Sequence, residues 1–111
     1  MDEGQTFYKA TIVDVACGIS RNCTMFIDLI AQTSDAKKIV ARYYFTDKSK
    51  YYSYKELTKL LNDFYIFYDE DNILDGLMQL KGKEVYFIVK PLKNHVYSYH
   101  VLKDIKDINN I

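Results

Sequence analysis

Glycine is scarce, with four in 111 residues, and cysteine scarcer, with two. So few glycines leave no Gly-rich loop to cradle a phosphate and no nucleophile elbow. Two thiols, Cys17 and Cys23, cannot build a disulfide scaffold; the pair suits a reducing compartment and reads as free thiols, buried or half-buried, at the two ends of a first loop. No apolar run approaches the roughly 18 residues that a membrane span needs. The opening "MDEGQTF" is acidic and polar where an export signal would be basic and then apolar, so a cytoplasmic protein is expected. Excess charge is lacking too: 15 basic and 15 acidic residues give a formal net charge of zero. That counts against a simple nucleic-acid binder, because binding phosphate draws on clustered Lys and Arg. A single Pro and no Trp, beside abundant Lys, Ile, Asn and Tyr, suit an A- and T-rich coding sequence and hint at a low-GC bacterial source.

Chemistry of other kinds finds little support. Cys17, Cys23, His95 and His100 are the soft metal donors. The cysteines are spaced more widely than zinc sites use, and the odd interval between the histidines throws them to opposite faces of one strand. The acidic run "DEDN" lacks the Gly and the bidentate Glu of an EF-hand and reads as a solvated helix end, although negative charge there opposes the helix dipole. No metal, no cofactor and no catalytic centre are expected, and the chain does not read as an enzyme.

What the chain has is tyrosine, 11 of them beside 6 Phe, and their distribution is uneven. The stretch "ARYYFTDKSKYYSYK" sets Tyr43, Tyr44, Phe45, Tyr51, Tyr52 and Tyr54 among Arg42, Lys48, Lys50 and Lys55. A phenol hydroxyl needs a partner when buried, so a core is better filled with aliphatic residues. Rings interleaved with cations instead match a single-stranded nucleic acid, offering π-faces to bases and charge to phosphates. Charge is segregated as well. From Lys37 to Lys59 cations dominate, Asp63 to Asp75 carries Asp63, Asp69, Glu70, Asp71 and Asp75 with no cation, and Lys81 to Lys106 is basic again. A positive face can therefore coexist with neutrality, and the acidic segment is free to repel nucleic acid or meet a basic partner; both clusters are equally compatible with solvated surface.

Hydrophobic periodicity predicts the elements within a single domain of 1–111, with a core over 7–102 and a polar tail, 103–111, frayed or used by a partner. Phe7 to Val15 is a strand whose apolar parity switches between Ile12 and Val13, the mark of a β-bulge, and "ACGISRN" follows as a loop. Cys23–Gln32 and "KIVARYYF" form a hairpin around "TSDAK", with Cys23, Met25, Ile27, Leu29 and Ala31 facing the core, and Ile39, Ala41, Tyr43 and Phe45 sharing one face of its second strand. "SYKELTKLLNDFYIFY" is a helix, with Tyr54, Leu57, Leu60, Leu61, Phe64 and Phe67 along one stripe, Ser53 as N-cap and Glu56 completing a capping box. "ILDGLMQL" adds a helical turn. "EVYFIVKP" is a strand ended by Pro91, "LKN" a turn, and "HVYSYHVL" the last strand.

Three strands, a helix and two strands, with a coiled first strand, is the order of the OB-fold: a mainly β, five-stranded, partly open Greek-key barrel with one helix, which commonly binds single strands. Over Phe7 to Leu102 the chain resembles the small OB-type single-strand-binding proteins and replication accessory subunits of bacterial mobile elements. It is most similar to the subunits encoded beside a family A DNA polymerase in staphylococcal cassette chromosomes. That resemblance rests on strand order, on "LKGKEVYFIV" and on the Lys- and Tyr-rich composition. It implies a single-stranded DNA-binding accessory role in replication, holding template for a polymerase or primase, and it transfers no binding residue.

The residues themselves supply a candidate site. A hairpin turn centred on Asp35 pairs Phe26 with Tyr44, Asp28 with Arg42 and Ile30 with Val40. Its outer face then carries two rings and a cation, with Asp28 partly neutralising Arg42. Tyr43 and Phe45 belong to the core and Tyr44 to the surface. Stacking is assigned to Phe26, Tyr44, Tyr51 and Tyr52, the last two in a Lys-rich loop before the helix, and phosphate contacts to Lys38, Arg42, Lys48 and Lys50. Asp69, Glu70, Asp71 and Asp75 are assigned to a protein partner. The other reading is a protein-interaction module that never touches nucleic acid, since Tyr and Arg are also favoured at protein interfaces.

Overall fold

Strand β1 (Thr6–Ile19) is paired along both edges, and this decides the architecture. The computed structural model describes residues 6–92, 97–104 and 106. After β1 come β2 (Met25–Thr33), β3 (Lys38–Tyr44), α1 (Lys50–Asp63), α2 (Ile73–Met78), β4 (Glu84–Pro91) and β5 (Tyr97–Leu102). The five strands form one antiparallel sheet in the order β3-β2-β1-β4-β5. The protein is thus mainly β with an OB-like strand order, though the sheet is not closed: its edge strands, β3 and β5, approach without pairing. Two short helices, rather than one, lie between β3 and β4. Among the described residues no helix is long and apolar enough to cross a membrane.

The predicted bulge is present. Ile12 pairs with Ala31 and Asp14 with Ile30, so Val13 is extra. Ala10, Ile12 and Val15 are buried while Val13 points to solvent, which is the change of parity seen in the sequence. The chain after α2 anchors this kink: the Gly82 amide donates to the Ile12 carbonyl at 2.8 Å, and the Ile12 amide to the Lys83 carbonyl at 3.0 Å. Gly82, at φ 86°, occupies the left-handed region that a side chain would disfavour. Beyond the bulge β1 serves β2 alone. Ala16–Ile19, expected as a loop, is strand, because each residue continues the β2 ladder as far as Ile19 opposite Met25. Both thiols are exposed rather than buried, Cys17 at the open end of β1 and Cys23 in the tight turn that follows. Met25, expected in the core, is exposed as well.

Inward residues of β2 and β3 (Ile27, Leu29, Ala31, Ile39, Ala41, Tyr43) meet Val85 and Phe87 of β4 and a helical layer of Leu57, Leu60, Leu61, Leu77 and Leu80. Helix α1 starts earlier than expected. Thr46 and Ser49 cap one another reciprocally, each amide donating to the other's hydroxyl at 3.0 Å. Ser53, expected as the N-cap, lies inside the helix; its buried hydroxyl donates to the Tyr44 carbonyl at 2.6 Å and ties α1 to the end of β3. The helix also ends earlier. The Ile66 amide donates to the Leu61 carbonyl and the Tyr65 amide to the Asn62 carbonyl, which is a Schellman closure with Tyr65 at φ 58° where Gly is usual. Phe67 is therefore outside the helix and almost wholly exposed. The acidic run does not follow a helix end but precedes α2, whose first turn holds Asp75, so its charge favours that dipole instead of opposing it. The "LKN" turn after Leu92, His95 and most of the tail lie outside the described residues.

Two stability predictions follow from these local features. Tyr65→Gly relieves the left-handed backbone at an exposed position and raises stability by about 0.5 to 1 kcal/mol; a loss in urea unfolding would mean that the Tyr65 contact with Lys103, 5.1 Å from its ring, outweighs the strain. His100 on β5 shares a hydrogen bond with Ser98 through Nε2, while its buried Nδ1 has no hydrogen-bond partner and sits 3.9 Å from Glu56. Burial pushes the imidazole below its ordinary value, against the upward pull of Glu56 and with a smaller downward push from Lys90. The unfolded chain then takes up this proton first, so stability is full above the ordinary histidine value of about 6.5 and falls as pH drops below it. His100→Gln should flatten that slope between neutral and mildly acidic pH, and an unchanged slope would place its origin elsewhere.

Candidate nucleic-acid interface

The hairpin register is the expected one: Phe26 lies opposite Tyr44, Asp28 opposite Arg42 and Ile30 opposite Val40. The turn is set by Ala36 at φ 67° and by Thr33, whose hydroxyl donates to the Asp35 carboxylate and whose amide donates to the Lys37 carbonyl. Outward on the two strands stand Phe26, Asp28 and Ile30, and across from them Tyr44, Arg42 and Val40, with Lys38 on the same face at the start of β3.

Asp28 organises this face. Its carboxylate is buried, and Arg42 grips it at both oxygens, Nε to Oδ1 at 2.8 Å and Nη2 to Oδ2 at 2.9 Å. That fork orients the guanidinium, which lies over Phe26 with Cζ 3.7 Å from the ring centroid. The tip of the same ring meets Gly18 of β1, where a Cβ would stand 2.7 Å from Phe26 Cζ. Phe26 is thus held between Gly18 and Arg42, half-buried, and Tyr44 meets it edge-on at 6.3 Å. The surfaces left for a base are the exposed Tyr44 ring and the outer side of the guanidinium. Hydrogen bonding to Asp28, and then to Tyr44, raises the Arg42 pKa further, but its charge is already matched by Asp28. The lysines are thereby left as the candidate phosphate contacts.

Of these, Lys38 and Lys48 are exposed, and Lys50 stands 3.9 Å from Asp47 and 5.6 Å from the Tyr51 ring. Tyr51 and Tyr52, expected in a loop, lie in the first turn of α1 and diverge. Tyr51 is 79% exposed beside Lys50 and stays a candidate ring. Tyr52 turns toward β5, lining a groove with Glu56, Lys59, Leu60 and Val101, where burial and then Glu56 push its phenol up to about 12. It does not belong with Tyr44.

The sheet adds residues that sequence reasoning missed. A cleft of about 430 Å³ opens between the edges of β3 and β5, lined by Tyr8, Lys37, Lys38, Val40, Val89 and Tyr99 among others. Lys37 lies 4.4 Å from the Tyr8 ring centroid and donates to its hydroxyl at 3.2 Å. Val40 and Lys38 belong to both the cleft and the outer face, so the tract runs without a break from Tyr44 along β3 into the cleft. No periodicity could have joined Tyr8, Lys37 and Tyr99, because only the coiling of the sheet brings them together.

The acidic residues occupy a different place. Asp69, Glu70 and Asp71 form the turn before α2, where the Asp71 amide donates to Asp69 Oδ1 at 2.9 Å, and Asp75 accepts from Asn72 at 3.1 Å. Glu70 and Asp71 face Met25, Ile27 and Phe45, which have the opposite parity to Phe26 and Tyr44. Among the described residues no group of three or more His, Cys, Asp or Glu side chains is placed to hold a metal.

Because Asp28 is buried and Arg42 satisfies it, Arg42→Ala leaves a carboxylate without its partner and should cost about 1 to 3 kcal/mol of stability. The double variant Asp28→Ala with Arg42→Ala should lose less than the two single losses together, as read by denaturant unfolding. Additive losses would mean that the pair is not coupled.

Comparison with known protein families and with curated proteins finds no match to this chain.

Proposed function

We propose that the protein is a single-stranded DNA-binding accessory module that holds template for a polymerase or primase, and that it binds rather than catalyses. The observation carrying this reading is the outer face of β2 and β3, where Arg42 is fixed on Phe26 by Asp28 with Tyr44 exposed beside it. A guanidinium plane and a phenol ring held in place offer stacking surfaces whose ordering cost has been met in folding. Lys37, Lys38, Lys48 and Lys50 flank that face and supply phosphate contacts. The resemblance to mobile-element accessory subunits supports a place beside a replicative polymerase in the cytoplasm. The acidic turn, on the opposite side of the hairpin, supports an adaptor: one face for the strand, the other for protein. Neutral net charge keeps affinity for a strand low until a partner raises its effective concentration.

The exposure of Tyr65 and Phe67 favours a second reading, in which the aromatic surface serves only proteins. Salt separates the two. With up to four lysines engaged, the dependence of log affinity on log salt for an oligothymidylate should have a slope of about −2 to −3. Tyr44→Ala should weaken binding by about 5- to 150-fold, the equivalent of one stacked base, and Lys38→Ala should make the slope shallower by about 0.7. Anisotropy titrations at low and moderate salt read all three. No binding at low salt, or binding indifferent to Tyr44→Ala, would leave the protein-interaction reading standing.

A further inference from the structure

The inward face of the sheet runs past its own cover. After the bulge, Val15, Cys17 and Ile19 of β1 share the core-facing parity, and on β2 Met25 and Ile27 do the same. Val15 and Ile27 are buried, but Cys17 is exposed, Ile19 is 73% exposed and Met25 49%. These side chains point where a core residue points but keep much of their surface in solvent. Next to them lies a groove of about 280 Å³, walled by Cys17, Met25, Phe45, Tyr54, Ile73 and Leu74. Glu70 and Asp71 stand on its rim, and neither makes an ion pair among the described residues. Burial, with Glu70, Tyr68 and Asp71 after it, holds the Tyr54 phenol above its ordinary value, which agrees with a groove of negative potential.

We propose that this groove docks a Lys- or Arg-flanked segment of a partner protein by an apolar anchor, the anchor entering between Met25 and Leu74 and the cations meeting Glu70 and Asp71. The two halves of the feature select one occupant. An apolar floor extended by Ile19 calls for an apolar side chain, and unpaired carboxylates at its edge call for positive charge beside that side chain. Nucleic acid is disfavoured, because its phosphates would meet the same carboxylates. A second copy is disfavoured too, because a symmetric contact over this patch would bring like charges together. The inference rests on the adaptor reading above and gives its protein face a site and a chemistry.

The probe is a fluorescein-labelled peptide, acetyl-Arg-Lys-X-Phe-Lys-Arg-amide with Leu, Met or Phe at X, set against the same cations around Ser-Gly. At least one anchored peptide should bind the full chain tenfold or more tighter than the Ser-Gly control. Glu70→Lys with Asp71→Lys, two exposed positions, should reduce that affinity at least tenfold, and Met25→Glu should do so separately. In a Cys23→Ser background, bound peptide should slow alkylation of Cys17 by N-ethylmaleimide. Equal binding of anchored and Ser-Gly peptides, indifference to the charge reversal, or unslowed Cys17 alkylation would overturn the proposal. So would a concentration-dependent dimer, seen in sedimentation and abolished by Met25→Glu, since the patch would then belong to a second copy. Oligothymidylate binding by the Glu70→Lys, Asp71→Lys variant should be retained and remain sensitive to Tyr44→Ala, which keeps failure of this site distinct from failure of the strand-binding reading.

Discussion

One strand must pair on both edges and still keep apolar side chains on the inside, and the bulge at Val13 is how β1 does so. A regular strand with this sequence would bury Ala10 and Ile12 and then turn Val15 outward, or the reverse. The extra residue restores parity and increases the local twist, so the half of β1 paired with β4 and the half paired only with β2 face the same core. Gly82 and Lys83 clamp the kink from the far side. Every part of the proposed interface depends on this. Gly18 reaches the tip of Phe26 only because β1 continues past the bulge as the neighbour of β2, and the cleft between β3 and β5 exists only because the twisted sheet brings its two edges together.

On that frame the charged residues are sorted by what each can reach. Asp28 is the costly group, a buried carboxylate that needs a matched partner. Arg42 satisfies it and in doing so is oriented as a flat surface over Phe26. The lysines sit on flexible stems at the ends of β3 and the start of α1, where exposed contacts such as that of Lys50 with Asp47 leave them able to turn toward a phosphate. Glu70 and Asp71, which make no ion pair among the described residues, stand at the turn before α2, on the other side of the hairpin. A neutral chain thereby offers two unlike faces. The proposed stacking face and the proposed docking groove therefore share no residues.

Much of this arrangement is legible in the sequence because a turn centred on Asp35 sets a register that period-two patterning then supports. Slipping β3 by one residue against β2 would turn Ala41 outward and Arg42 inward beside Leu29, so the turn and the alternation agree on pairing Phe26 with Tyr44 and Asp28 with Arg42. The bulge is legible in the same way, from Ile12 followed by Val13 and Val15. The errors lie where a local contact overrides a periodic signal. Thr46 and Ser49 start α1 ahead of Ser53, and that moves Tyr51 and Tyr52 from a loop onto a helix whose turn sends them apart. Tyr65 adopts a left-handed backbone that no propensity assigns to tyrosine, which ends the helical stripe before Phe67. Ala16–Ile19 has the composition of a loop and is strand because Phe26 and Met25 require neighbours. The cleft of Tyr8, Lys37 and Tyr99 was beyond reach, since it joins three segments that share no pattern.

The central claim is that the outer face of β2 and β3, and not the acidic groove behind it, meets a single strand. The most direct test is a titration of the isotopically labelled protein with an oligothymidylate at low salt, followed residue by residue through amide chemical shifts. The account predicts perturbations concentrated at Phe26, Lys38, Arg42, Tyr44 and Lys48, extending to Tyr8 and Lys37, with Glu70, Asp71, Ile73 and Leu74 unmoved. Perturbations centred on Cys17, Met25 and Leu74, or none at low salt, would contradict it.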